Sequence, residues 1–246
     1  MSLLTTIIIL AVIIIIGLII FKVTKAVAKT IFYTTTIIGI AGLVFAFLIY
    51  QDASDFRENF PTKPSMLLLE SEEQILAGIE GRFSEASEPT LIGYDQLQDI
   101  KTGYKEDNMD TVRGDNYKVF IFSLNSFEAG SIDIGEDTLS KEQAETLLLS
   151  DSPIDDYADI VLKDQDDGYK EQFKQQLKKN IKDGAEFKAI LFSSLFSEQT
   201  EKTGSLFILD EYSKGNIEIY PETIIFKLMK RVPSSILSRL VKTKEV

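Results

Sequence analysis

The sequence predicts an α+β soluble domain, richer in helix than in strand, carried on an N-terminal hairpin of two transmembrane helices. Two apolar stretches without a charged side chain fill residues 3–21 and 31–50. The remainder is strongly acidic, and short apolar runs alternate there with amphipathic helical patterns. We therefore expect a membrane hairpin over residues 1–50, a juxtamembrane linker at 51–64 and one α+β domain over 65–246.

Each apolar stretch has the length that a bilayer requires. Leu3–Phe21 contains nineteen uncharged residues, and Ile31–Tyr50 contains twenty. A helix rises about 1.5 Å per residue, so each stretch can cross a hydrocarbon core about 30 Å thick. In lipid a helix satisfies all backbone hydrogen bonds internally, which outweighs the low helix propensity of the many isoleucines. A cleaved signal peptide is the alternative for the first stretch, although its positive charges follow the apolar run.

The segment between the two stretches, residues 22–30, is predicted to be a basic turn. It carries Lys22, Lys25 and Lys29, whereas residues 51–55 after the second stretch contain no lysine. Short loops that are rich in lysine tend to remain in the cytoplasm. We therefore expect an integral membrane protein with two spans, the lysine turn in the cytoplasm, and both termini and the soluble domain extracytoplasmic.

The second apolar stretch also carries small residues at helical spacing. Gly39, Gly42 and Ala46 are expected to lie on one side of the helix, where small side chains let two helices approach closely. Packing within the hairpin is the simplest use of this face, and assembly into a homo-oligomer is the alternative. A conducting pore is not expected, because neither stretch contains an ionisable side chain.

Charge and composition exclude several functions for the soluble part. The chain carries a net charge of −12, and the only charged side chains before Asp52 are three lysines, so the remainder carries −15. Proteins that bind nucleic acid need a basic surface, so nucleic acid is not an expected partner. The absence of cysteine and histidine excludes disulfides, histidine-based triads and zinc sites of Cys and His ligands. No cofactor is expected.

Local patterns predict the elements of the soluble domain. Residues 66–69 and 75–79 are expected to form a β-hairpin, although a short helix opened by Ser71 is the alternative, and residues 117–124 are the clearest strand. The other predicted elements are a helix at 94–105, a short strand at 130–135, helices starting at Ser140 (in a capping box with Gln143) and at Ser152, an amphipathic helix at 169–181, a buried helix at 185–196, a segment at 205–212 that fits either state, and a short strand at 216–220.

The densest acidic stretch offers the candidate metal ligands Asp164, Asp166 and Asp167. Carboxylates in a loop suit Ca²⁺ or Mg²⁺. An EF-hand does not fit, because a loop with its glycine at Gly168 would have lysines at positions that need acids. The favoured interpretation is a solvated turn followed by a helix N-terminus, where acidic side chains are stabilising.

The C-terminal segment, residues 221–243, has the opposite charge and an amphipathic helical pattern. Pro221 is expected to open a helix that ends at Pro233, and Ser234 is expected to cap a second one. The candidate residues for contact with an anionic membrane surface are Lys227, Lys230, Arg231, Arg239 and Lys242. The alternatives are two packed helices whose cations suit the helix dipole, or docking on the acidic body of the same domain.

The sequence contains no recognisable catalytic arrangement. We therefore expect a membrane-anchored, non-enzymatic protein whose acidic extracytoplasmic domain binds a protein partner or supports the assembly of a membrane complex. The alternative is a membrane-tethered hydrolase that uses carboxylates, with or without a divalent metal ion. That alternative requires two acidic side chains about 5–10 Å apart in one cleft.

Overall fold

The structure, a computed structural model, describes residues 3–82, 89–128, 130–204 and 206–231. The chain divides into two compact units, residues 1–51 and 52–246. The first is helical, and the second combines helices with a β-sheet, so the prediction of a mixed fold with more helix than strand is confirmed.

The first unit is a single helix rather than a hairpin. Helix α1 spans Leu3–Asn59, 57 residues, and passes through the whole of residues 22–30. The predicted basic turn is absent from the described structure, where residues 22–30 are helical, and a two-helix hairpin is not shown. The physical reason is that this segment contains neither glycine nor proline, while its alanines and lysines are good helix formers. Its charges alone do not interrupt a helix.

Part of α1 has the properties of a membrane span. Lys22–Asn59 contains a stretch that is long and apolar enough to cross a membrane, and no other helix among the described residues passes that test. The side chains of residues 31–48 are exposed, including the small face formed by Gly39, Gly42 and Ala46. A Cβ added at either glycine would meet no atom within 4 Å, so helix packing on this face stays a prediction.

The predicted linker is also partly helical. Residues 52–59 form the last two turns of α1 and belong to the second unit. The helix ends before Pro61 and Pro64, both of which disfavour continuation. Phe56 and Phe60 pack against the core of the second unit. This segment is therefore part of the folded domain, because its two phenylalanines have an apolar surface on which to pack.

Strands of the second unit form a five-stranded sheet and a separate hairpin. The strands are β1 (Ser65–Ser71), β2 (Gln74–Gly81), β3 (Thr90–Leu91), β4 (Val119–Ser123), β5 (Ser131–Ile134), β6 (Asp137–Ser140) and β7 (Ile217–Tyr220). The order in the sheet is β3-β2-β1-β4-β7, and β5 pairs with β6 alone. Among the described strands, β1 and β4 are the one parallel pair. The strand order places β7 at an edge of the described sheet.

Helices cover both faces of this sheet. They are α2 (Tyr94–Lys105), α3 (Met109–Arg113), α4 (Lys141–Leu149), α5 (Pro153–Val161), α6 (Asp167–Asn180), α7 (Gly184–Thr203), α8 (Leu206–Lys214) and α9 (Ile224–Met229). Helices α2 and α3 pack with the smaller of two hydrophobic clusters, whereas α4, α5, α7, α8 and α9 contribute to the larger one. Each cluster lies against one face of the sheet.

Burial of both faces explains the continuous apolar runs in the central strands. Leu67 and Leu69 of β1 belong to the larger cluster, and the alternating Met66 and Leu68 belong to the smaller one. A strand that is covered on both sides has no polar face to present. The predicted hairpin at 66–79 is confirmed, since β1 and β2 pair as antiparallel strands. Burial of both faces explains why its strands read as continuous apolar runs.

Most of the predicted elements agree with the structure. The helices at 94–105, 169–181 and 185–196, the capping box of Ser140 with Gln143, and the helix start at Ser152 are all confirmed. The ambiguous segment 205–212 is helical from Leu206. Pro221 does not open the next helix, because α9 begins at Ile224 after Thr223. Pro233, Ser234, Arg239 and Lys242 lie outside the described residues.

Candidate functional site

Two aspartates hold the last turns of α1 on the rest of the domain. Oδ2 of Asp52 accepts a hydrogen bond from the Ile225 amide at 2.7 Å, in the first turn of α9. Oδ2 of Asp55 accepts one from the Tyr117 hydroxyl at 2.6 Å. Thr223, the N-cap residue of α9, makes no capping bond with its side chain. Asp52 therefore satisfies an amide that the local cap leaves without a partner.

Four phenylalanine rings surround this junction. Phe56 stacks on Phe60 at a centroid distance of 4.8 Å and meets Phe226 edge-on at 5.2 Å. Phe60 meets Phe120 of β4 at 5.8 Å. Aromatic pairs in such arrangements add about 0.5–1.5 kcal/mol each beyond the burial of their area. The end of α1 is thus attached through apolar contacts as well as through hydrogen bonds.

A buried lysine lies beside the same junction. Lys118 is 1% exposed, and its Nζ donates to the Pro221 carbonyl at 2.8 Å and lies 5.2 Å from the Phe226 ring centroid. Burial lowers the pKa of Lys118, and the carboxylates of Asp52 and Asp55 oppose that shift. The two aspartates of α1 therefore help to keep the buried ammonium charged.

The second feature is a groove beside the edge of the sheet, which we call the β7 groove. It has a volume of about 480 Å³ and lies between α2, the α2–α3 connection and β7. The residues that line it are Glu73, Tyr104, Lys105, Asp107, Met109, Ile121, Glu218, Ile219 and Tyr220. Its floor combines apolar side chains with two tyrosines, and its lining carries three carboxylates against one cation.

The carboxylates create a negative potential in the β7 groove. Burial raises the pKa of Tyr104, and the nearby carboxylates of Glu218, Glu70 and Glu73 raise it further. Negative charges oppose the loss of a proton from a phenol. These carboxylates come from the β1–β2 hairpin and from β7, so the potential depends on the fold and not on one acidic run.

Left-handed backbone is concentrated at the edge of the same groove. Glu72, Glu73 and Asp107 have φ angles of 51°, 62° and 55° and are the non-glycine residues with positive φ among the described residues. Glu73 and Asp107 line the β7 groove, and Glu72 lines an adjoining hollow of about 380 Å³. This conformation costs an L-residue about 1 kcal/mol or more, and such residues cluster at functional sites. The β7 groove is therefore the candidate binding site.

The three candidate metal ligands lie elsewhere and start a helix. Asp166 is the N-cap residue of α6 and accepts a hydrogen bond from the Tyr169 amide at 3.0 Å, while Asp167 lies in the first turn. All three, including Asp164, are exposed. Within the described ranges, no group of three or more His, Cys, Asp or Glu residues could hold a metal ion. The carboxylate hydrolase stays a prediction.

The described cations of the C-terminal segment contact the domain itself. Lys227 lies 3.9 Å from a carboxylate oxygen of Glu222, and Nζ of Lys230 lies 5.3 Å from the Tyr212 ring centroid. Phe226, on the same helix, is buried in the core. Arg231 is exposed. Contact of this segment with a membrane surface stays a prediction.

Sequence reasoning did not find the β7 groove. Its main residues, Glu73, Tyr104 and Glu218, come from three parts of the chain that no local pattern joins. The sequence contains one signal of an unusual backbone at this site. The two-residue hairpin turn consists of Glu72 and Glu73, whereas such turns usually contain asparagine and glycine.

Comparison with protein-family models, with curated proteins and with solved structures found no match for this chain.

Proposed function

We propose that this protein is a membrane-anchored, non-enzymatic protein whose acidic extracytoplasmic domain binds a protein partner or supports the assembly of a membrane complex. The observation that supports this proposal is the end of α1. The helix with the apolar stretch continues into the domain, where Asp52 and Phe56 are held by α9. The domain thus begins two residues after Tyr50, the last residue of the apolar stretch.

Residues 52–59 belong to the folded domain and do not form a free linker. This arrangement suits a domain that binds a partner better than an enzyme that acts on a diffusing substrate. A long flexible linker would let the domain sample a large volume, whereas a domain that begins two residues after the apolar stretch is confined by its short connection. Confinement raises the effective concentration toward a partner in the same membrane. The β7 groove provides the domain with a surface for such a partner.

For the membrane arrangement we propose that Lys22, Lys25 and Lys29 face the cytoplasm and that the domain is extracytoplasmic. The chain contains no cysteine, so single-cysteine variants give unambiguous labelling. In intact cells, a membrane-impermeant maleimide should label Glu201→Cys and should not label Thr24→Cys. The reverse pattern contradicts the proposed orientation.

The same labelling experiment decides the number of spans. Labelling of Ser2→Cys from outside would establish the two-span hairpin, with α1 interrupted near its lysines. Protection of Ser2→Cys, together with labelling of Glu201→Cys, would establish one span through Ile31–Tyr50.

Partner binding is tested by affinity purification of the full chain from gently solubilised membranes, followed by measurement of the mass of the eluted particle. We expect a defined complex with a second membrane polypeptide or with further copies of this chain. A monodisperse monomer under the mildest conditions contradicts the proposal.

A further inference from the structure

We propose that the β7 groove binds an extended cationic segment of a partner polypeptide, which pairs with β7 as an additional strand of the sheet. This inference rests on the proposed function, since it names the chemistry of the partner that the domain binds. It is carried by the edge of β7, which no other described strand pairs with, by the shape of the groove and by the charge of its lining.

Strand β7 presents unused backbone groups at the edge of the sheet. The Ser123 amide donates to the Asn216 carbonyl at 2.9 Å, so these two residues form a hydrogen-bonded pair of the antiparallel β4–β7 ladder. Alternation along β7 then directs the backbone groups of Ile217 and Ile219 away from β4. Within the described residues, no backbone group outside the sheet bonds to these two. A partner strand is the usual ligand of such an edge.

The groove lies beside this edge and reaches its backbone. Glu218 and Tyr220 pair with residues of β4 that face the smaller hydrophobic cluster, and both line the groove. Ile219 also lines it, although its side chain belongs to the core on the opposite face. An added strand would therefore place every second side chain over the groove.

The charge of the groove lining indicates which side chains of the partner strand would fit over it. Glu73, Asp107 and Glu218 line the groove, against Lys105 as the single cation of its lining. Tyr104 and Tyr220 add aromatic faces, which attract the cationic side chains of lysine and arginine. Burial raises the pKa of Tyr104, and the carboxylates of Glu218, Glu70 and Glu73 raise it further, which is the direction that a negative lining produces. Lysine or arginine at alternate positions of the partner segment fits this lining.

The size of the groove selects a segment rather than a globular surface. A volume of about 480 Å³ accommodates a few side chains, and the four residues of β7 pair with a strand of about the same length. Backbone pairing then supplies affinity, and the alternate cations supply specificity.

Peptide binding to the full chain in detergent micelles tests the inference. The probe is a fluorescent six-residue peptide of alternating lysine and valine, and its binding is measured by anisotropy. A peptide in which glutamate replaces lysine tests the sign of the charge. A peptide in which proline replaces valine keeps the charge and removes backbone donors. We expect only the lysine–valine peptide to bind well, and to bind more weakly at high salt.

Two variants with the same change of charge locate the site. Glu218→Lys should weaken binding about tenfold or more, whereas Glu201→Lys, in the last turn of α7, should leave it unchanged. Glu218→Gln keeps the size of the side chain and should give an intermediate loss if the Lys variant misfolds. The inference is overturned if all three variants bind the lysine–valine peptide as tightly as the wild type does. It is also overturned if the proline peptide binds as tightly as the lysine–valine peptide.

The natural complex separates this inference from the proposed function. If a partner co-purifies equally with the wild-type chain and with both Glu218 variants, the groove is not the binding site but partner binding stands. If no partner co-purifies with the wild-type chain, the proposed function itself is overturned.

Discussion

Asp52 and Ile225 are joined by a 2.7 Å hydrogen bond from the Ile225 amide to Oδ2 of Asp52, across 173 positions of the chain. The second residue after the apolar stretch thus caps a helix near the end of the described chain. Phe56 and Phe226 make the matching apolar contact, with ring centroids 5.2 Å apart. The start of the domain is therefore stabilised by its last described helix.

Removal of this cap should weaken the domain. Asp52→Ala should lower the free energy of unfolding by about 1–2 kcal/mol, because the Ile225 amide loses its acceptor. The measurement is chemical denaturation of the full chain in detergent micelles, followed by tyrosine fluorescence, since the chain contains no tryptophan. The control is Asp99→Ala, an exposed position within α2, which should show no loss. Equal losses would contradict the role of Asp52.

Two phenylalanines of the same helix should behave differently. Phe56→Ala should cost about 2–4 kcal/mol of domain stability, because its ring packs on Phe60 and Phe226. Phe47→Ala removes a ring that is 64% exposed in the apolar stretch and should leave domain unfolding unchanged. The same denaturation measurement compares the two. If Phe56→Ala has no effect, residues 52–59 are a tether rather than part of the domain.

The strained hairpin turn can be relieved by substitution. Glu72→Asn combined with Glu73→Gly should raise the free energy of unfolding by about 1–2 kcal/mol, because both residues have positive φ. Gly135→Ala, in the β5–β6 turn at φ 62°, should act in the opposite direction by about 1 kcal/mol. Thermal unfolding of both variants checks the pair. A destabilised Asn-Gly variant would show that the glutamates make contacts worth more than the strain.

The buried lysine predicts a pH dependence with a definite sign. Burial lowers the pKa of Lys118 below its usual 10.5, so in the interval between these two values the unfolded chain binds more protons than the folded one. Stability should therefore rise with pH in that interval, and Lys118→Met should remove this contribution. Denaturation midpoints of the wild type and of Lys118→Met at about pH 8 and pH 9 measure the difference, and the comparison of the two chains cancels the onset of tyrosine ionisation. Parallel changes in the wild type and the variant would contradict this assignment.

A buried tyrosine predicts the opposite trend at higher pH. Burial, and then a hydrogen bond of 2.7 Å to Oδ2 of Asp137, raise the pKa of Tyr157 above its usual 10.0. Above pH 10 the folded chain retains a proton that the unfolded chain loses, so stability falls as pH rises. Tyr157→Phe should cost about 1 kcal/mol near pH 7 and should reduce the loss above pH 10. Tyr169→Phe, at an exposed position, should change neither the stability near pH 7 nor its loss above pH 10.

Elements with local signals were predicted well. The capping box of Ser140 with Gln143 is present with both of its hydrogen bonds, because its donors and acceptors lie within one helical turn. Two of the predictions that differ from the structure concern boundaries near the membrane segment. Residues 22–30 were expected to turn because of their charge, and 51–64 were expected to be a linker because of their polarity. Charge and polarity describe the environment of a helix and do not end it, whereas Pro61 does.

The sequence by itself determined the apolar helix, the central strands, the helix starts and the acidic character of the domain. Each of these depends on residue types and spacings within a few positions of one another. Only the tertiary structure decided that Asp52 meets Ile225, and that Glu73, Tyr104 and Glu218 surround one groove. The first relationship follows from the packing of α1 on α9, and the second from the strand order and register of the sheet. Register is chosen by the burial of two whole faces, and such a choice has no local signature in the chain.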